Sequence, residues 1–149
     1  MLRLAIHEKL LTKDKLLKWG VVQEAKCSFC NTTNESIAHL MFECNISAGV
    51  WKRQLVWQGV TRQVLDWQGE VLWASTHHKG KTPDVDQVYR MTMASAVYHI
   101  WQERNARIFK QKQRSEEEIV KTIIQEIHHR GNMYSKLRGT LARLNFYPS

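Results

Sequence analysis

The chain is poor in cysteine. It has three in 149 residues, an odd number that cannot close into a complete set of intramolecular disulfides. Cysteines left in that state, close to a histidine, point to metal and to a reducing, intracellular compartment, with the nucleus among the expected locations. Long apolar runs are also missing: none approaches the roughly 20 residues that span a bilayer. The opening MLRLAIHEKLL has neither the long apolar run nor the small-residue cleavage site of a secretory leader. No Gly-rich phosphate loop is present, the Asp and Glu residues form no motif, and there is no internal repeat. These absences argue against an enzyme, against a small-molecule substrate and against a membrane partner.

What is present is a foldable, basic chain. Hydrophobic residues make up 43%, with six Trp, enough to bury a core. Lys and Arg outnumber Asp and Glu by 22 to 14, giving a formal net charge of +8. A sequence pI near 9.6 makes the chain a partner for polyanions, RNA or DNA before anionic lipid.

The reading along the chain is mainly α-helical. Thr12 can cap a short helix that ends at Gly20, with Leu16, Leu17 and Trp19 packing and Lys13, Lys15 and Lys18 in water. Ser47 can cap a second helix that carries Val50, Trp51 and Leu55 to about Gln58. Residues 60–75 show no clean period. The polar stretch STHHKGKTPD reads as a linker. A long helix is expected from about Asp84 to Phe109, with Val97, Trp101, Asn105 and Ile108 on one face and Val85, Val88 and Ala94 extending it. Ser115 and Glu118 form a capping box for the stripe Ile119, Val120, Ile123, Ile124 and Ile127, closed by Gly131. Met133, Leu137, Leu141 and Leu144 suggest a last helix. Short connections fold these helices back on one another into an antiparallel assembly.

The chemistry concentrates in Cys27-x2-Cys30-x8-His39-x4-Cys44. Zinc takes four ligands in a tetrahedron and favours thiolate and imidazole. The Cys pair makes a tight turn that aims two sulfurs at one point, and Ser36 to Leu40 look like a short helix that holds His39. All three Cys of the chain are used. Three thiolates around Zn2+ leave −1, which Lys26 partly offsets. Cys27 as a nucleophile with His39 as its base is the alternative, but both serve better as ligands. With four protein ligands no coordination position remains for a reactive water, so the chemistry is structural. The fold expected is a small Cys3His zinc finger joined to the helical assembly. Its parts are a zinc-binding module with flanking helices at 1–75 and a helical region at 84–149, separate or continuous with the first. The adjacent pairs His77-His78 and His128-His129 are expected in solvent.

The segments TKDKLLKWGVV, CSFC, ESIAHLMFECNISAGVW and IWQERNARIF resemble the zinc-binding domain downstream of the reverse transcriptase in plant LINE-type (non-LTR) retrotransposons. The resemblance spans about residues 3–110. Trp51 stands where that family has a Trp after the last Cys. Its T-K-D-[RK]-L helix and W-x-x-R-N element match Thr12 to Leu16 and Trp101 to Asn105. The resemblance implies a zinc-stabilised module that helps a polymerase engage RNA or DNA, and only the four ligands carry over. The chain has no YxDD-type carboxylate pair and no ribonuclease H-like segment. It reads as a detached piece, either a host-adopted domain or a decayed remnant without function.

Two further assignments are open to the structure. Arg107, Lys110 and Arg114 would share one sector of a helix continued past Phe109 and bind phosphate, or form a solvated helix end. Arg104 belongs either with them or with an acidic partner in the core. Phe29 would stack on a base or pack beneath the knuckle. A scaffold domain, binding a partner through apolar stripes, is the competing class.

Overall fold

The computed structural model describes residues 1–76 and 82–144. It is mainly helical, and no strand occurs among the described residues. Among the described residues seven α-helices follow in order: α1 (Leu2–Ile6), α2 (Lys13–Lys18), α3 (Asn45–Trp57), α4 (Trp67–Thr76), α5 (Pro83–Asn105), α6 (Glu116–Gly131) and α7 (Ser135–Ala142). Two wide, π-type turns, His39–Glu43 and Ala106–Lys110, lie between α2 and α3 and after α5. Of the expected linker, Ser75 and Thr76 end α4 and Pro83 and Asp84 open α5, while residues 77–81, with His77-His78, lie outside the described residues.

α6 forms as its sequence demands. The Ser115 hydroxyl accepts from the Glu118 N–H at 3.2 Å while the Glu118 carboxylate accepts from the Ser115 N–H at 2.6 Å. Glu116 to Glu118 face the positive helix end, and all five residues of the apolar stripe are buried. Its partner α5 runs antiparallel: Glu103 meets Arg114, and His99 and Ser95 meet Glu126. A core cluster draws on α3, α5, α6 and α7 and on the finger, from Ala5 through Trp51 and Ile100 to Leu141.

Several expectations need correction. The long helix reaches its expected end, α5 to Asn105 being continued by the turn Ala106–Lys110, but its buried face is Val88, Tyr89, Met93, Ala96, Val97 and Ile100, with Trp101, Asn105 and Ile108 only half-buried and Val85 exposed. The stripe read from the sequence had followed the edge of this face. α3 starts at Asn45, so Ser47 lies within its first turn. There its hydroxyl donates to the Cys44 carbonyl (3.2 Å) and accepts from the Phe42 N–H (3.1 Å). Residues 60–75 yield α4, whose missing period has a cause: Glu70 is buried and Leu72 is exposed. Gly131 is the last residue of α6, and a Cβ there would meet Leu141 Cδ1 at 1.9 Å. Its role is to let α7 approach.

Met133 is exposed, ahead of α7. His128 is buried edge-on against Trp57, with ring centroids 5.7 Å apart, because its position on α6 points inward; His129 faces solvent. Around α2 the expected sides hold for the half-buried Leu16 and the exposed Lys18 but not for the rest. Leu17 and Trp19 are exposed, while Lys13 and Lys15 are half-buried, their ammonium groups donating to the carbonyls of Lys26 and of Glu8 and Leu10.

Candidate metal centre

The knuckle is built by backbone pairing. Cys27 N–H donates to the Thr33 carbonyl (2.8 Å) and Glu35 N–H to the Ala25 carbonyl (2.7 Å), closing a small loop. Asn31 takes the left-handed conformation (φ 56°), tolerable for Asn, so that the loop turns within a few residues. The second half of the site rises from the helical turn at residues 37–43. Its geometry breaks at Met41 and Phe42, and Phe42 is left-handed at φ 76°. That break swings Cys44 back beneath His39, and Cys44 N–H donates to the His39 carbonyl at 2.6 Å. The Phe42 ring is fixed by stacking on Trp51 at 4.8 Å and by Trp67 edge-on at 5.7 Å. Packing of these three rings offsets the backbone strain.

The ligand atoms of Cys27, Cys30, His39 and Cys44 all lie within 4.8 Å of one another. Cys30 Sγ is 3.4 Å from His39 Nε2, and Cys27 Sγ is 4.0 Å from Cys44 Sγ. A tetrahedral site with Zn–S near 2.3 Å and Zn–N near 2.0 Å has edges of about 3.5–3.8 Å. These two pairs match such edges to within a few tenths of an ångström, and the widest separation, up to 4.8 Å, has to close by about 1 Å. The Cys44 thiol donates toward Cys27, which draws the Cys27 thiol down to about 5 and pushes Cys44 up. At Cys30, burial acts to raise the thiol, but hydrogen bonds from Thr32, Thr33 and His39 outweigh it and hold it near 7. Cys27 and Cys30, biased toward thiolate, bind metal with less proton release, whereas Cys44 has to give up its proton on binding. All four ligand residues expected from the spacing therefore meet at one point, and the donor set suits a tetrahedral ion such as zinc.

A buried ion pair ties this finger to α5 and gives Arg104 the acidic core partner that was one of its two expected roles. Glu35 is fully buried, and its carboxylate accepts from Arg104 Nη2 (2.7 Å) and Nε (3.1 Å) and from the Lys13 N–H at the start of α2 (2.7 Å). Arg104 also lies over the Trp101 ring at 4.7 Å and donates to Asn105 Oδ1 at 2.9 Å. The W-x-x-R-N element is thus a clamp on the finger, and Arg104 belongs to the core. The signal for it was Arg104 between an aromatic and an amide residue; Glu35 carried none.

The residues expected to bind phosphate do not share one helical sector. The helix continues through the π-type turn Ala106–Lys110, one residue past the expected Phe109, and Gln111 (φ 52°) then reverses the chain, so Arg114 lies beyond it. Arg107 donates to the buried Glu103 (3.1 Å) and covers the Phe29 ring at 4.7 Å. Phe29 is buried, which removes it as an exposed stacking platform. Arg114 donates to Glu103 from both its N–H (2.8 Å) and its Nε (2.9 Å) and is about a third exposed. Lys110 and Lys112 are exposed and make no ion pair among the described residues.

A closed Cys3His knuckle clamped to a helical body is the class that fold and site define. Residues 1–51 match the family model for zinc-binding in reverse transcriptase. Comparison with curated proteins and with solved structures gives no match. The matched span holds all four ligand residues, Glu35 and Trp51; the W-x-x-R-N clamp lies beyond it.

Proposed function

We propose that the chain is a zinc-stabilised nucleic-acid-binding module derived from the reverse transcriptase of a plant LINE-type retrotransposon, intracellular and without catalysis of its own. The observation that carries the reading is the convergence of Cys27, Cys30, His39 and Cys44 within the segment matching a reverse-transcriptase zinc-binding family. These four residues would hold the ion, whose role is to cross-link the knuckle to the turn before α3. Four protein ligands leave no position for an activated water, which supports a structural role. The net charge of +8 supports RNA or DNA as partner.

Elemental analysis of the purified chain tests the metal, with one zinc per chain expected. A salt titration of oligonucleotide binding tests the partner: affinity should fall steeply as salt rises. Assays for polymerase, nuclease and protease activity should stay at background. A second reading, a protein-interaction domain, is favoured by the exposed Leu11, Leu17, Trp19 and Val21 around α2. It predicts partner binding that salt barely weakens.

A further inference from the structure

The chain doubles back after α5, and the return leaves a groove of about 600 Å3 between the C-terminal half of that helix and residues 110–114. Lys112 N–H donates to the Ala106 carbonyl (3.2 Å), and Glu103 grips the Arg114 N–H, so the returning segment is tied down at both ends. Lys110, Lys112 and Arg114 line one side, and Tyr98 and Gln102 line the helix side, with Gln113 between. Tyr98 is 43% exposed, and its ring stands edge-on to His99. Glu103 also lines the groove, but it is 1% exposed and neutralised by Arg107 and Arg114. His99, the other ionisable group there, is paired with Glu126 at 2.6 Å. The free charge facing the groove is therefore cationic.

Resting on the nucleic-acid reading above, we propose that this groove binds a single strand, with Lys110 and Lys112 against phosphates and Tyr98 stacked on a base. A duplex keeps its bases stacked inside and offers nothing to a ring set in a concave wall. A single strand offers both a backbone for the cations and a base face for the ring. The Gln102 and Gln113 amides stand where exposed base edges can be hydrogen-bonded.

The test uses the full, zinc-loaded chain with a fluorescent single-stranded oligonucleotide and the matching duplex, over a range of salt. The single strand should bind more tightly. Lys110→Gln with Lys112→Gln should make the salt slope shallower by about 1.4 units, at about 0.7 per phosphate contact. Both side chains are exposed, so helicity and metal content should not change. Tyr98→Ala should weaken binding by roughly 5- to 150-fold with the slope retained, and Tyr98→Phe should restore it. Equal or tighter binding of duplex, an unchanged slope in the double variant, or full affinity in Tyr98→Ala would each overturn the groove. Oligonucleotide binding by the wild type with none of the variants affected would remove the groove alone. A wild-type chain that binds anionic vesicles but no oligonucleotide would remove the nucleic-acid reading as well.

Discussion

Two irregular segments lean on α5, and they are held by different means. Residues 26–44 are gathered by four soft ligands around one point and then clamped through Glu35 to Arg104. Residues 106–114 have no such cluster; beyond a backbone bond from Lys112 to Ala106 they are held mainly by the carboxylate of Glu103, which accepts from Arg107, from Arg114 and from the Arg114 backbone. The first device works with a partner from solution and carries its own organisation. The second works only with cations supplied by the same turn. Metal removal should therefore dissolve one segment and leave the other standing.

The largest test of that contrast is Cys30→Ser. Structural zinc in small fingers is worth an apparent 10–16 kcal/mol or so at neutral pH, more than a short knuckle can replace by packing. The variant should lose its metal and the protection of residues 26–51, while α6 stays protected; hydrogen exchange with elemental analysis measures both. Loss of α6 protection to the same degree would break the comparison.

Next come the two carboxylates. Glu35→Ala leaves Arg104 buried without its anion, at a cost of about 3–5 kcal/mol in denaturant unfolding. Glu103→Gln should cost less, about 1–3 kcal/mol, because Arg107 and Arg114 are 12% and 35% exposed against 4% for Arg104 and can turn toward water. The reverse order would mean that the turn, rather than the clamp, is the stronger joint.

Acid sharpens the same contrast. Burial acts to raise Glu103, but hydrogen bonds from the Arg114 N–H, the Arg114 side chain and Arg107 outweigh it and hold it below the usual carboxylate value. A depressed carboxylate stabilises the fold fully above its unfolded value of about 4.3 and loses that contribution as pH falls through the lower folded value. The Arg114 amide should thus stay protected at pH 5 and loosen only well below about pH 4, and Glu103→Gln should abolish that acid step. The smallest expected effect is Ser115→Ala, which removes the cap of α6 just after the turn. It should cost about 1 kcal/mol by thermal unfolding and leave metal content unchanged.

The two segments also differ in how readily the sequence shows them. Four thiol and imidazole residues in fixed spacing can be read without a fold, because coordination geometry imposes the spacing. The stripe of α6 was equally plain, since a capped helix with five β-branched residues on one face has one way to bury them. Glu35, Glu70 and Glu103 could not be seen. A buried carboxylate is defined by what reaches it, and Arg104 reaches Glu35 across 69 residues of chain. Arg107 and Arg114 were misplaced for the same reason. Their charge suggested solvent, whereas Glu103 had already drawn them in. Trp19 and Leu17 erred in the opposite sense: apolar side chains on α2 were assigned to a core that does not extend that far.

The matched segment ends at Trp51, halfway along α3, while the ring it contributes is stacked on Phe42 and meets Tyr89 of α5 edge-on at 5.7 Å. Arg104, the anion partner of Glu35, comes from the far end of that same helix. The unit that can be recognised is thus shorter than the unit that can be transplanted. A graft cut at residue 51 carries every ligand but leaves behind the wall that shapes them, and a working chimera has to take α5 along.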